Sequence, residues 1–210
     1  ATIILAIVLL LNFSCTDWLD VKPVDRMSED QLYSTEAGFR QALNGIYVEL
    51  NHADLYGDEL LVNTVEILAQ RYKFSSMGTL TNQYHLAEFD YTTDYAKKCG
   101  SRIWEKAYAL IANVNKLLKN ADSHKDLFTG DSYDLITGEA YALRAFLHFD
   151  LLRLFGPVYK THKEDKSICY NTQFSLSGSD LLPASKVMEY VIADLKEAED
   201  RLAKDPIIEE

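Results

Sequence analysis

The sequence predicts an all-α protein made of stacked helix pairs. Long segments repeat apolar residues at steps of three and four, and residues that favour helix ends stand beside several of them. No segment alternates apolar and polar residues as a half-buried strand would. The segment lengths favour tetratricopeptide-like helix pairs with long irregular loops between them.

The composition is that of a folded domain and disfavours one class of partner. Of 210 residues, 48% are hydrophobic and 25% are charged. The net charge is -11, with 32 acidic and 21 basic residues and no basic cluster. Because such a chain repels polyanions, we expect no nucleic-acid partner.

The N-terminal segment has the pattern of a lipoprotein signal. Ile3–Leu11 is an uncharged apolar block, much shorter than the roughly 20 residues of a membrane-spanning helix and suited to a secretory signal. Cys15 follows it directly after Ser14. Cys15 could also end a buried helix, but we favour a signal over 1–14, trimmed at its start, and a lipidated tether over 15–30. Acyl chains on Cys15 would then anchor the protein in a membrane.

The first amphipathic helix is predicted over 34–50. Ser34 is the expected N-cap, and Glu36 suits the first turn because a carboxylate there offsets the helix dipole. A shorter second helix is predicted over 58–70. The predicted buried stripe of the first helix consists of Phe39, Ala42, Leu43, Ile46, Tyr47 and Leu50.

Two longer helices are predicted, one over 102–121 and one that starts at Ser132. Gly156 and Pro157 indicate where the second one stops, with Gly156 in a left-handed C-cap. The step from Ala142 to Phe146 resembles the second helix of a tetratricopeptide repeat. The predicted buried positions are Ile103, Ala107, Leu110, Ile111, Val114, Leu117 and Leu118 in one helix, and Ile136, Ala140, Leu143, Leu147, Leu151 and Leu154 in the other.

The last helix is predicted over 184–204, after an irregular stretch over 158–182. Ser185 can cap its start, and Asp205 with Pro206 closes it. The expected buried stripe is Met188, Val191, Leu195, Ala198 and Leu202.

The segment 71–95 is predicted to be a long loop and the candidate ligand site. It combines aromatic rings, which can pack on the C–H faces of sugars, with amide and carboxylate groups that can bond their hydroxyls. The alternative is that these aromatic side chains fold inward and plug the loop onto the helices. The candidate ligand-binding residues are Tyr72, Phe74, Asn82, Tyr84, Phe89 and Tyr91.

No motif for catalysis, metal binding or a cofactor occurs in the sequence. We therefore expect no catalytic residues, no metal site and no cofactor. His148 is interpreted as a packing residue, and Arg144 and Asp150, six positions apart, as partners of other residues in a structural network. Cys99 and Cys169 could pair with each other, although two free thiols are favoured.

Five segments together resemble one family, the SusD/RagB-like lipoproteins. They are "SCTDWLDVKP", "AGFRQALNGIYVEL", "IWEKAYALIANVNKLL", "GEAYALRAFLHFDLLRLFGPV" and "LPASKVMEYVIADLKEAEDRL", in the order found at the N-terminus of that family. The resemblance implies that 31–210 is the N-terminal helical domain of a larger SusD-like fold whose C-terminal part is missing here.

The resemblance also implies a location and a function. Such proteins are lipid-anchored on the outer surface of the outer membrane, bind oligosaccharides or other nutrients without enzymatic activity, and deliver them to a SusC-like TonB-dependent transporter. A loop near 71–95 helps to form their nutrient site. A helical-repeat scaffold for protein partners at the membrane is the main alternative, and a surface glycosidase is a more distant one.

Overall fold

The computed structural model describes residues 28–74, 81–174, 179–203 and 205. The predicted signal, Cys15 and most of the tether lie outside these residues. None of the helices in the described ranges is both long and apolar enough to span a membrane. In chain order the helices are α1 (Glu29–Leu32), α2 (Glu36–Leu50), α3 (Thr64–Leu68), α4 (Thr81–Ala87), α5 (Asp94–Ser123), α6 (Ser132–Phe155), α7 (Tyr159–His162) and α8 (Ala184–Leu202).

The core lies between the long helices, with α6 packed against both α5 and α8 and α2 packed against α5. All seven positions predicted to be buried on α5 are buried, and those predicted on α6 are buried except for the half-buried Leu154. The described residues contain no strand, only one isolated bridge between Lys166 and Pro183. These observations confirm the predicted all-α class.

The start of α2 differs from the prediction by one residue. Thr35, not Ser34, is the N-cap, and its Oγ1 accepts a hydrogen bond from the Gly38 amide at 3.1 Å. The Ser34 hydroxyl donates instead to the Gln31 carbonyl at 2.8 Å. A Cβ on Gly38 would lie 1.7 Å from the Leu32 carbonyl oxygen, so the chain can approach α1 this closely only at a glycine.

The segment between α2 and α5 differs from the prediction in two places. It contains less helix than predicted over 58–70 and more helix than predicted over 71–95. Turns occupy most of 51–63, so the helix predicted over 58–70 shortens to α3. The loop predicted over 71–95 contains α4 and the first residues of α5. Helix α5 begins early because the Thr93 hydroxyl caps it, accepting from the Ala96 amide at 3.2 Å.

The end of α6 and the start of α8 lie close to their predicted positions, but Gly156 and Ser185 do not have the capping roles predicted for them. Gly156 ends α6 with φ of -83°, outside the left-handed region. Glycine is needed there because a Cβ would lie 2.4 Å from the Leu152 carbonyl oxygen. Ser185 does not cap α8, since Pro183 precedes the helix and the Ser185 hydroxyl donates to Glu164 at 3.0 Å.

One position on the inward face of α8 also differs from the prediction. Leu195 is 47% exposed, whereas the neighbouring Asp194 is buried. Its carboxylate accepts two hydrogen bonds of 2.7 Å from the buried Arg144 guanidinium of α6 and a third, of 2.5 Å, from the Tyr170 hydroxyl. The apolar period alone could not indicate this face, because a buried ion pair occupies its centre.

His148 and Asp150 have the structural roles predicted for them. The His148 Nε2 atom accepts from the Asn171 amide at 3.0 Å, so its Nδ1 donates to the Arg144 carbonyl at 2.8 Å and the ring is neutral. Burial lowers the pKa of His148 to about 4. Asp150 accepts from the Tyr56 hydroxyl at 2.7 Å and from Arg153 at 2.8 Å. Cys99 and Cys169 are both free thiols.

Candidate ligand-binding cleft

An apolar cleft of 560 Å³ opens where α3, α4 and the start of α5 meet the end of α6. Its volume lies in the range of small-molecule sites, roughly 300–1,000 Å³. Most of its lining is aliphatic or aromatic, with polar groups along one side. The lining residues are Thr64, Leu68, Leu86, Tyr91, Ala96, Lys97, Gly100, Ser101, Trp104, Glu105, Leu154 and Phe155.

Aromatic packing fixes the orientation of the Trp104 indole in this cleft. The indole packs edge-on against Phe155, with ring centroids 5.2 Å apart at 87°, and against Tyr108 at 4.8 Å. The Tyr108 hydroxyl donates to the Cys169 carbonyl at 2.8 Å, which holds that ring in turn. Trp104 is only half-buried, and no described residue accepts a hydrogen bond from its Nε1. A rigid aromatic surface with a free donor therefore faces the cleft.

Three polar side chains of α5 form one rim. Lys97, Ser101 and Glu105 are spaced four residues apart, so they lie along a single face of the helix. All three are exposed, and none of their side chains makes an ion pair or hydrogen bond with another described residue. The rim therefore offers a cation, a hydroxyl and a carboxylate to a ligand that lies on the indole.

A buried carboxylate holds α3 against α5. Glu59 is 2% exposed and accepts hydrogen bonds from the Arg102 guanidinium and the Thr64 hydroxyl. Asp54 lies 3.8 Å from the same guanidinium. Since Thr64 lines the cleft and Arg102 belongs to the helix that carries Trp104, this network sets the width of the cleft between α3 and α5.

The short segments on either side of α4 contain two unusual backbone positions. Gln70 and Phe89 each have a φ of 59°, in the left-handed region that non-glycine residues rarely adopt, at a cost of about 1 kcal/mol each. The Gln70 side chain donates to the Ala87 carbonyl at 2.6 Å and ties the ends of α3 and α4 together. The Asp90 carboxylate accepts from the amide and hydroxyl of Thr92 at 3.0 and 2.6 Å, which shapes the turn before α5.

The structure brings one of the six predicted ligand residues into the cleft. Tyr91 lines it and is 57% exposed. Phe74 turns inward against a small apolar cluster around Ile67 and Leu86, as the alternative interpretation of the loop proposed. Tyr72 packs edge-on against Phe74 at 6.0 Å, and its hydroxyl donates to the Val62 carbonyl at 3.1 Å.

The other three predicted residues do not line this cleft. Asn82 and Tyr84 lie on α4 rather than in a loop, and Tyr84 packs against the neighbouring His85. Phe89 is exposed at the left-handed position after α4. These residues remain candidates for ligand contact, but they do not form one site with Tyr91.

Sequence reasoning missed the residues that contribute most to the cleft, Trp104 and Phe155. Both residues belong to helices with a periodic apolar stripe, so an apolar side chain at either position can be attributed to core packing alone. The available signal was position, because Trp104 immediately follows the buried Ile103 and therefore lies at the edge of the apolar stripe. A large aromatic residue at such an edge keeps one face exposed.

The arrangement suits binding and offers no evident chemistry. The described residues contain no cluster of His, Cys, Asp or Glu that could hold a metal ion. The cleft has a single carboxylate, Glu105, and no histidine or cysteine. An all-helical fold of helix pairs with an aromatic cleft and a polar rim has the geometry of a small-molecule binding site.

The comparisons identify the family. A family model described as SusD-like, "Starch-binding associating with outer membrane", matches residues 17–207, and the chain belongs to this SusD-like family. SusD-like protein P2 of Formosa agariphila is 28% identical over 199 residues, which cover 93% of this chain and 37% of that protein. SusD-like protein P25 of the same organism is 27% identical over 148 residues, covering 69% of this chain and 28% of the relative. The chain thus spans about a third of the length of these relatives.

Solved structures confirm the tetratricopeptide-like SusD fold. A SusD-like carbohydrate binding protein from Bacteroides vulgatus superposes with a TM-score of 0.67 at 21% identity, covering 81% of this chain and 36% of that one. A SusD superfamily protein from Bacteroides thetaiotaomicron gives 0.62 at 20% identity, with 80% and 37% covered. At these identities the likeness establishes the fold alone.

Proposed function

We propose that this chain is part of a non-enzymatic surface lipoprotein that binds oligosaccharide nutrients and delivers them to a SusC-like TonB-dependent transporter. Family membership supports a starch- or sugar-binding role at the outer membrane. A neighbour of the same fold is named a carbohydrate binding protein. The sequence supports the anchor through Cys15, with 1–14 as signal, 15–30 as tether and 31–210 as the N-terminal part of the ligand-binding domain.

The observation that carries the proposal is the exposed face of Trp104. A sugar ring presents a flat C–H face that packs on an indole, and its hydroxyls can bond groups placed around that contact. The free Nε1 and the rim residues Lys97, Ser101 and Glu105 supply such groups. Because Phe155 and Tyr108 already hold the indole in place, little side-chain entropy is lost on binding.

The test is a glycan titration followed by the fluorescence of Trp104. The chain has two tryptophans, so a Trp18→Phe variant leaves Trp104 as its single reporter. We expect a glycan from a panel of plant and host oligosaccharides to change this fluorescence at millimolar concentration. Calorimetry should show that Trp104→Ala weakens the binding about tenfold or more, as loss of a central aromatic contact does. Tyr159→Ala, an exposed aromatic outside the cleft, is the control and should leave the affinity unchanged.

The affinity of the 210-residue chain should be low, since the relatives are about two and a half times as long and a partial site loses convergent polar contacts. A longer chain that contains it should bind more tightly. Equal glycan affinity of the wild-type chain and Trp104→Ala would contradict the proposal that the glycan binds in the Trp104 cleft. No binding by the longer chain to any glycan would move the proposal to the protein-scaffold alternative.

Anchoring is tested separately by mass spectrometry of the membrane-extracted protein. We expect Cys15 to be the acylated N-terminus of the mature chain. Intact residues 1–14, or an unmodified Cys15, would contradict the lipoprotein assignment without touching the ligand-binding one.

A further inference from the structure

A second cavity, of 380 Å³, lies where α5 and α6 meet the segment 171–174. It shares no lining residue with the Trp104 cleft. Its lining is mainly polar and includes two cationic side chains, Lys119 and Arg144. The two cavities therefore differ in chemistry as well as in place.

The base of this cavity is rigid before any ligand arrives. The buried Arg144 guanidinium bonds the Asp194 carboxylate through two nitrogens and donates to the Asn115 side-chain oxygen at 2.9 Å. The Asn115 amide nitrogen donates to the Asn171 carbonyl at 2.9 Å, and Arg144 also reaches the Thr172 carbonyl at 3.4 Å. These bonds fix the wall at 171–172 against the helices, so the cavity is preorganised.

Three polar groups in the lining have no partner among the described residues. The Lys119 ammonium, the Tyr141 hydroxyl and the Gln173 amide form neither hydrogen bonds nor ion pairs there. Asp122, by contrast, accepts from the Tyr133 hydroxyl at 2.5 Å and lies 3.6 Å from Lys125. The cavity therefore offers one free cation together with two neutral hydrogen-bonding groups.

The local charge favours an anion although the whole chain is acidic. Asp194 offsets the charge of Arg144, and Glu29 offsets that of Lys116 at 2.9 Å. No described carboxylate forms an ion pair with Lys119, whose charge acts only at longer range on Glu29. An anionic ligand group would pair with this exposed ammonium through a charge-assisted hydrogen bond, which added salt should weaken.

An aromatic ring adds a second requirement. Phe174 is 45% exposed, and the Lys116 ammonium lies 4.8 Å from its ring centroid. The Arg144 and Arg201 guanidinium groups lie over the Tyr141 ring, 5.0 and 5.2 Å from its centroid, so this side chain is held in place and offers a ligand its hydroxyl rather than its face. A ligand that uses the Phe174 ring and the free cation needs a flat apolar face as well as a negative charge.

We infer that this cavity binds a hexuronic acid unit of a glycan. The sugar ring packs on Phe174, its carboxylate accepts from the Lys119 ammonium, and its hydroxyls bond the Tyr141 hydroxyl and the Gln173 amide. A neutral hexose leaves Lys119 unpaired, and inorganic phosphate leaves the Phe174 face unused. An acidic sugar satisfies all of these groups.

The experiment compares D-galacturonic and D-glucuronic acid with D-galactose and D-glucose by NMR titration of the 210-residue chain. We expect each uronic acid to bind about tenfold more tightly than its neutral counterpart, as a charge-assisted contact implies, and less tightly as salt is added. Lys119→Gln should remove the preference. The matched control Lys98→Gln, an exposed lysine of the same helix that lines neither cavity, should retain it.

Three outcomes would overturn the inference. They are equal affinity for the uronic acid and its neutral counterpart, a uronate preference that survives Lys119→Gln, and absence of uronate binding at millimolar concentration. Lys119 is exposed and makes no contact that supports the fold, so circular dichroism should show both variants folded. Trp104→Ala should leave the uronate preference intact. The uronate inference and the proposed Trp104 cleft can therefore fail independently of each other.

Discussion

The long-helix core and the segment 51–95 are stabilised in different ways. In the core, α5, α6 and α8 pack around one large apolar cluster, and the Arg144–Asp194 ion pair is buried between α6 and α8. In 51–95 the described helices before Asp94 have five and seven residues, and the buried residues of their cluster, among those that the structure describes, are Ile67, Leu86, Ala87 and Ala96. Turns, a buried carboxylate and side-chain hydrogen bonds hold this segment in place.

The comparison teaches where stability and binding are located in this molecule. Buried apolar area gives the core most of its stability. Apart from Leu55, which is buried in the main core cluster, the described part of 51–95 buries few apolar side chains and depends on polar contacts, so it should open locally at a lower free energy than the core. The wall of the Trp104 cleft thus belongs to the less stable part, while its floor belongs to the core.

The largest expected effect tests the core. Leu147→Asp places a carboxylate at a site that is 1% exposed, so it should lower the free energy of unfolding by about 4 kcal/mol or more. Leu195→Asp on α8, at a position predicted to be buried but found exposed, should change it by less than about 1 kcal/mol. Thermal and urea unfolding of both variants measures the difference. Similar losses in the two variants would mean that the face of α8 is assigned wrongly.

A smaller effect is expected from the pH dependence of the free energy of unfolding, which His148 in the core should produce. The pKa of His148 falls from 6.5 to about 4 on folding because the ring is buried. Between these values the unfolded chain binds the proton and the folded chain does not, so stability is complete above pH 6.5 and decreases as the pH falls toward 4. The loss should reach about 3 kcal/mol.

Urea unfolding from pH 7 to pH 4 measures this loss, with His148→Gln as the comparison. Exposed carboxylates titrate in both proteins, so the difference between the two curves isolates the histidine. Parallel curves would show that His148 does not titrate on unfolding.

The smallest effect tests the segment 51–95. Glu59→Ala removes the acceptor shared by Thr64 and Arg102, which should destabilise the contact between α3 and α5 by about 2 kcal/mol. Hydrogen exchange should become faster in 54–70 and stay unchanged in α6. The control Glu66→Ala breaks only an exposed pair with Arg71 and should have little effect. Faster exchange throughout the chain would show that the two regions unfold as one unit.

The same contrast explains what the sequence could predict. Periodic spacing located α2, α5, α6 and α8, because each buries a wide apolar face. It could not locate α4 or the early start of α5, which depend on the Thr93 cap and on turn contacts. It also placed Leu195 inward, because a buried pair between Arg144 and Asp194 has no apolar signature.

The ligand site was harder to predict than the fold for a related reason. Composition drew attention to the aromatic residues of 71–95, and Tyr91 does reach the cleft. The floor comes from Trp104 and Phe155, which are distant in sequence and meet only when α5 packs against α6. A single sequence does not show which residues of two helices meet across their interface.

Helix α5 gives the two cavities a fixed spacing. Trp104 and Lys119 are fifteen residues apart on one continuous helix, which corresponds to about 22 Å along the axis and about 60° around it. A straight rod of this kind acts as a ruler, because the spacing does not change when either end is occupied. A glycan chain long enough to reach from the indole to the ammonium would gain avidity from one molecule holding both ends, and shorter chains would not.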